Sequence, residues 1–179
     1  MTNQQQCQAF WQDRRSVILS TTNLEGVLET SITPFITDEA GNLYVFISEL
    51  AQHTQNILRQ LSDSSISPKQ VKTSNLISGL LIADESGTEQ AFARERLTLQ
   101  LLPSEILRDS EGFSALLLRF EQTFGEVIPL LVSLLDFHLI QLKVIKGGYV
   151  KGFGQAFTFK GCPCQELEPV KQERDKNKG

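Results

Sequence analysis

Short runs of alternating apolar and polar residues follow one another along most of the chain. Alternation of this kind predicts half-buried strands, because successive side chains of a strand point to opposite faces. Turn-forming residues such as Gly, Asn and Asp separate most of these runs. The predicted strands are residues 16–22, 28–36, 43–47, 76–83, 89–101, 137–145 and 149–159.

Apolar residues spaced by three and four positions predict three helices between these strands. The first spans residues 4–15, the second begins at residues 48–49, and the third covers residues 113–131 with a break at Pro129. Residues 62–74 are polar and rich in serine, which predicts a loop.

The order of these elements favours an α+β domain, with six or seven antiparallel strands in a closed or partly closed barrel. Strands and helices do not alternate regularly, and no glycine-rich phosphate loop follows a strand, which argues against a parallel sheet. Pro103 is expected to end the fifth strand. The 179 residues suit one domain, predicted over residues 1–161, with a polar tail at 162–179.

Charge and composition narrow the class of partner. The net charge is −4, and the basic residues near the C-terminus alternate with Glu173 and Asp175, so we expect no nucleic-acid binding. No segment reaches the roughly 20 apolar residues of a membrane-spanning helix, and the chain starts with polar residues. We therefore expect a cytoplasmic protein without membrane contact. Three cysteines give no disulfide framework.

Several segments resemble, in sequence and in order, the HugZ/HutZ-type haem-utilisation proteins. These belong to the larger group of pyridoxamine-phosphate-oxidase-like proteins. The resemblance runs from about residue 10 to residue 159. The segments that carry it are residues 47–57, 92–99, 119–120, 124–126, 136–137 and 149–157.

That resemblance implies an antiparallel split β-barrel of Greek-key type with flanking helices. It also implies a homodimer, in which two subunits pair their sheets and leave two cofactor clefts at the interface. Haem is the cofactor it favours, and flavin mononucleotide (FMN), bound by related proteins, is the alternative. The implied function is haem binding in bacterial iron acquisition, either with opening of the macrocycle or as a non-catalytic haem carrier. Two other hypotheses are an FMN-dependent oxidoreductase and a structural dimer that binds no cofactor.

Two arginines are the leading candidates for binding an anionic cofactor. Arg94 and Arg96 lie two positions apart on one predicted strand, so both side chains are expected on the same face. Guanidinium groups bind carboxylate or phosphate oxygens through two donors at once. The resemblance favours Arg96. Pairing with a nearby acid such as Glu89 or Glu95 is the alternative.

Three further residues are assigned to the cofactor cleft. His53 lies near the start of the second helix with Asn56 one turn later, and an imidazole there could bond a phosphate or a propionate. A structural role for His53 is the alternative. Lys151 lies in the last strand, beside glycines that allow close backbone approach.

The iron ligand is the point at which the sequence departs from the family. The resemblance implies that Asp136 orients an iron-ligating histidine located after the last strand, but no histidine follows His138. His138 itself, or Cys162 in a Cys-Pro-Cys segment, could ligate the iron instead. The alternatives are a structural histidine and a pair of exposed, reduced cysteines.

Overall fold

A computed structural model of the chain describes residues 1–63 and 76–171. The predicted loop at residues 62–74 therefore lies almost wholly outside the described residues. Four α-helices and nine strands occur in this part of the chain. The helices are α1 (Asn3–Asp13), α2 (Gln52–Ser62), α3 (Glu111–Phe124) and α4 (Val127–Ser133). The strands are β1 (Ser16–Thr22), β2 (Leu28–Pro34), β3 (Ile36–Thr37), β4 (Leu43–Ser48), β5 (Ile77–Ile82), β6 (Arg96–Ile106), β7 (Phe137–Gly152), β8 (Gln155–Lys160) and β9 (Glu168–Pro169).

The strands form one antiparallel sheet in the order β2-β1-β5-β6-β7-β4-β3. Strand β7 lies along β6 on one side for almost its whole length. On its other side, its first half pairs with β4 and its second half pairs with β8, which in turn pairs with β9. The two halves of the barrel diverge from this shared strand. The α+β split-barrel prediction is confirmed.

Two groups of buried side chains hold the sheet. The larger one fills the inside of the barrel and includes the aromatic residues of α1 and Ile57 of α2. The smaller one lies under α3 and α4. Its members are Ile36, Tyr44, Phe46, Phe113, Phe120, Ile128 and Leu139. Since β4 contributes to both groups, five of its six residues are buried.

Strand β6 differs from the prediction at both ends. It begins at Arg96, because residues 85–87 and 91–93 form two short 3₁₀ turns before it. It continues to Ile106, through the proline that was expected to end it. Pro103 is opposite Leu142 of β7, while the pairing with β5 stops at Leu101. A proline without an N–H is tolerated where one side of the strand has no partner.

Two other boundaries also move. The two strands predicted at 137–145 and 149–159 are one long strand, β7, followed by β8, because the glycines between them are paired on both sides. The helical stripe breaks at Gly125, which has a φ of 80°, and not at Pro129. A proline in the first turn of α4 is compatible with the helix, since no N–H there has a helical acceptor.

The segment after β8 packs against the barrel. Cys164 and Cys7 are both fully buried and form a disulfide that joins this segment to α1. The prediction of a reduced, exposed Cys164 is therefore wrong. The sequence could not reveal this pair, because 157 positions separate the two cysteines and their spacing gives no sign of it. None of the helices in the described ranges is long and apolar enough to cross a membrane.

Candidate functional site

The face of β1, β2, β5, β6, β7 and β8 that points away from the core is open in the single chain; we call it the outer face. A row of facing residues crosses five of these strands, from β1 to β8, and none of them is buried. The row is Ile18, Leu80, Thr98, Gly148 and Thr158. Most of their neighbours along the strands are buried, so the outer face is one continuous side of the sheet.

An arginine-rich cleft of about 500 Å³ opens at the end of the outer face where β6 begins. Arg14, Arg15 and Arg94 line it together with two aspartates and an apolar floor. The floor and the acids are Ile18, Ile32, Leu80, Ile82, Asp13 and Asp84. Guanidinium groups above an apolar floor suit a ligand with a flat apolar body and anionic substituents.

Contacts with the protein hold Arg14 and Arg94 in place. Arg14 forms ion pairs with Asp13 and, at 3.8 Å, with Asp84, and its guanidinium lies 5.1 Å from the centre of the Phe10 ring. Arg94 donates from Nε to the carbonyl of residue 83 at 2.6 Å and lies 3.6 Å from Glu85. Both arginines therefore already have partial charge compensation.

Arg96 differs from Arg94 in its surroundings. It is the first residue of β6, opposite Ile82 and Val150, and its Nη1 donates to the Arg94 carbonyl at 2.9 Å. No carboxylate within residues 1–63 or 76–171 lies within 4.0 Å of its guanidinium. The prediction that both arginines lie on one strand is wrong, since Arg94 ends the 3₁₀ turn before β6. Their main chains are nevertheless close.

Lys151 lies at the same end of the sheet but contacts α1. Its Nζ donates to the side-chain oxygen of Asn3 at 3.3 Å. Arg14 and Arg15 were missed as site residues by the sequence analysis. The signal that could have found them is two adjacent basic residues between a predicted helix and a predicted strand, at a position where two elements meet.

Asn56 of α2 is a structural residue. It is buried, donates to Thr21 Oγ1 at 3.0 Å and to Glu29 Oε2 at 2.7 Å, and accepts from Gln52 at 3.3 Å. These bonds tie α2 to β1 and β2 and leave the amide little capacity for a ligand.

His53, also on α2, has a buried Nε2 atom without a hydrogen-bond partner. Burial lowers the pKa of His53 below its ordinary value, so the ring is neutral at pH 7. The atom is enclosed within the single chain.

Asp136 and His138 lie at the opposite end of β7. His138 contacts Glu105 through Nδ1 and Glu49 through Nε2, both at 2.6 Å. Burial by itself would lower the pKa of His138, but the hydrogen bonds and charges of Glu105 and Glu49 outweigh it and raise the pKa. Asp136 accepts from Ser48 Oγ at 2.5 Å. Neither nitrogen of His138 is free for a metal.

Cys162, the remaining candidate ligand of the iron, is a poor one. Burial, with the nearby charge of Asp38, raises the pKa of the Cys162 thiol, and only the thiolate is a good metal ligand. Within the described residues no group of three or more histidine, cysteine or acidic side chains could hold a metal ion.

The predicted site residues therefore fall into separate places. Arg94 and Arg96 meet beside the arginine cleft, whereas His53 and Asn56 lie on α2. His138 contacts Glu105, which lies nine positions after Arg96 on β6. At the rise of a strand, this places His138 roughly 30 Å from the Arg96 end of β6.

Sequence comparison identifies a curated relative. The heme oxygenase HutZ of Vibrio cholerae is 34% identical over 152 residues, which covers 85% of this chain and 78% of HutZ. No protein-family profile matches the chain.

Solved structures give the same picture. Crystallised HutZ of V. cholerae, described as a heme storage protein, is 31% identical with a TM-score of 0.65, over 79% of this chain and 89% of that one. ChuZ of Campylobacter jejuni is 31% identical with a TM-score of 0.76, over 98% of this chain and 65% of ChuZ. A putative pyridoxamine 5'-phosphate oxidase of Listeria innocua shares the fold at 12% identity, with a TM-score of 0.55, over 84% of this chain and 100% of that one.

Proposed function

The chain belongs to the HutZ-type family of split-barrel proteins, and from that premise we propose that it binds haem and serves haem utilisation. The observation that carries the proposal is the arginine cleft at the start of β6, together with the guanidinium of Arg96 beside it, which has no carboxylate partner among the described residues. Relatives named for haem at 31–34% identity support it.

The cleft fits the periphery of haem. Haem has a flat apolar body with two propionate carboxylates, and arginine binds carboxylates with paired donors. Arg96 would take a propionate first, with Arg15 and Arg94 beside it, and the isoleucines and leucine of the floor would contact the macrocycle. His53, Asp136 and Lys151 do not line this cleft, and they would act on the same haem only from the second chain of a dimer.

The fit is poor at the iron. Both nitrogens of His138 are engaged, Cys164 is in a disulfide, the Cys162 thiol is protonated, and Nε2 of His53 is enclosed. The part of the chain that the structure describes thus offers no free, accessible axial ligand. We propose a carrier or storage role for this reason, and we derive no reaction step at the iron.

A homodimer is part of the proposal. Ile32 is 67% exposed on the outer face, next to Ile18, Leu80 and Ile82. A contiguous apolar surface of this kind is typical of an interface. Pairing the outer faces of two chains would place this surface at the interface, so that a haem on the floor of the arginine cleft would lie between the two chains.

The cytoplasmic location predicted from the sequence belongs to the proposal as well. In a reducing compartment Cys7 and Cys164 would be adjacent thiols, and the bond would form only under oxidising conditions.

Absorption titrations with haemin and with FMN test the function. We expect a saturable Soret band with haemin and no comparable change with FMN. Arg96→Ala should weaken haemin binding without changing the circular dichroism spectrum. Tight FMN binding with no response to haemin would instead support the flavin alternative and overturn the proposal.

A further inference from the structure

The segment after β8, residues 161–171, is joined to the rest of the barrel by a covalent bond; we call it the strap. Cys164 within the strap forms the disulfide with Cys7 of α1, and both side chains are fully buried. Among the other strap residues Pro163 is buried and Leu167 is partly buried against the core, while most of the rest are exposed. The disulfide is therefore the main attachment of the strap.

The two ends of the strap are held to different degrees. At its start, the Gly161 N–H donates to a carbonyl of β7 at 2.8 Å, and Pro163 packs against Gly41, where a Cβ would come within 2.5 Å of the proline ring. Near its end, the strand β9 pairs with only two residues of β8, and the Val170 N–H donates to the Ala156 carbonyl at 2.9 Å. From residue 164 onward the strap thus depends on a short strand and on the disulfide.

The backbone of the strap is strained beside the bond. Cys164 has a φ of 64° and Glu166 has a φ of 48°, in the left-handed region that residues with a Cβ rarely adopt. Such conformations persist only where the surrounding structure enforces them. Because the disulfide fixes the side chain of Cys164, breaking it removes that constraint and lets both residues return to ordinary backbone angles.

Thiol–disulfide exchange can break and re-form this bond. Two molecules of a low-molecular-weight thiol such as glutathione give two electrons and two protons to the disulfide, become glutathione disulfide, and leave Cys7 and Cys164 as thiols. Glutathione disulfide drives the reverse reaction. Cys162 takes no part, since burial and the charge of Asp38 raise the pKa of its thiol and the thiolate is the attacking form.

We propose that Cys7 and Cys164 form a redox latch and that the strap is the element it controls. With the disulfide formed, the strap lies against α1 and β8. With both thiols reduced, residues 164–171 detach reversibly from the barrel. Helix α1 and the strands stay folded, because Phe10 and Trp11 keep α1 buried in the core without the strap. The latch is separate from the haem proposal and does not rest on it.

Opening of the latch changes two surfaces. It frees one edge of β8, because β9 is the partner of β8 on that side within the described residues. It also removes Glu166 and Glu168 from a cleft of about 430 Å³ that they line together with Lys146 and Lys160. This part of the outer face then becomes more positive.

Alkylation and hydrogen exchange of the full chain in glutathione redox buffers test the latch. In the oxidised chain, N-ethylmaleimide added without denaturant should label Cys162 alone. In the reduced chain it should also label Cys7 and Cys164, since the open strap no longer buries them. The Val170 amide should exchange about tenfold faster or more after reduction, while the amides of β6 stay protected, as expected for a local opening.

Two cysteine variants of the strap, two positions apart, form a matched pair. Cys164→Ser should be permanently open, with fast exchange at Val170 whether or not glutathione disulfide is present. Cys162→Ser keeps the disulfide and should keep the latch. It should take up no label when oxidised and should be labelled at Cys7 and Cys164 when reduced.

Three results would overturn the proposal. One is a disulfide whose state does not change with the ratio of reduced to oxidised glutathione. Another is a reduced chain in which the Val170 amide stays protected and Cys7 stays unlabelled, since the bond would then be purely structural. The third is loss of protection throughout β6 on reduction, which would mean global unfolding. Haemin is absent from these measurements, so their outcome is independent of the haem proposal.

Discussion

Arg96 is the residue on which haem affinity should depend most. Arg94 shares its charge with Glu85 and the carbonyl of residue 83, whereas the Arg96 guanidinium has no acid nearby in the described part of the chain. We expect Arg96→Ala to weaken haemin binding by about tenfold or more, since a charge-assisted contact contributes roughly 1.5–3 kcal/mol. Arg94→Ala should have a smaller effect. Fluorescence quenching by haemin measures both, and equal losses would contradict the assignment.

His138 should make stability depend on pH. In the folded chain Glu105 and Glu49 raise the pKa of His138, against the effect of burial. The charged imidazole therefore stabilises the fold, and this stabilisation is fully present below the unfolded pKa of about 6.5. That contribution is lost as the pH rises through the folded pKa. His138→Gln should therefore lower the free energy of unfolding more in mild acid than at alkaline pH. The loss in mild acid should be only about 1 kcal/mol, because both carboxylates are partly exposed. Urea unfolding across pH tests this, and a difference that does not vary with pH would exclude it.

At the scale of elements, the disulfide fixes α1 to the segment after β8. A cross-link between Cys7 and Cys164 closes a very long loop, and such bonds stabilise by about 2–4 kcal/mol. Under oxidising conditions Cys7→Ser should lower the free energy of unfolding by that amount, and Cys162→Ser should not. Denaturation with and without dithiothreitol measures it. If reductant destabilises the Cys7→Ser variant as much as the wild type, the account is wrong.

The strands were predictable where side chains alternate strictly. β1 has the bounds that the pattern predicts, because every second residue points into the core. β6 and β7 were not predictable, since their ends depend on partners far along the chain. Pro103 is tolerated because β5 stops earlier, and residues 147–148 stay in a strand because β6 and β8 flank them.

At the scale of the whole molecule, one chain does not assemble the predicted site. The sequence predicted the family, which the 34% identity to HutZ confirms, and it predicted a cofactor-binding role for Arg96, which stays a prediction. It could not show that His138 is enclosed by two glutamates, because Glu49 and Glu105 come together only through the β4–β7 and β6–β7 pairings. The prediction of haem as the ligand came from the family resemblance, whereas only the tertiary structure shows which side chains are free to bind it.

Dimerisation through the outer face is testable with two surface variants. Ile32 and Leu24 are both exposed, at 67% and 84%, but only Ile32 lies on the outer face. Ile32→Glu should give a monomer, since a buried unpaired charge is costly at an interface, while Leu24→Glu should remain a dimer. Light scattering at micromolar concentration distinguishes them. A wild-type monomer, or equal behaviour of both variants, would contradict this interface.

Native mass spectrometry of the haemin-loaded protein tests the central claim most directly, because it reports oligomeric state and cofactor together. The account predicts two 20.0 kDa chains carrying two haems, one for each arginine cleft. Arg96→Ala should give the same dimer with reduced haem occupancy. A wild-type protein that stays free of haem, or a haem-bound monomer as the main species, would contradict the account.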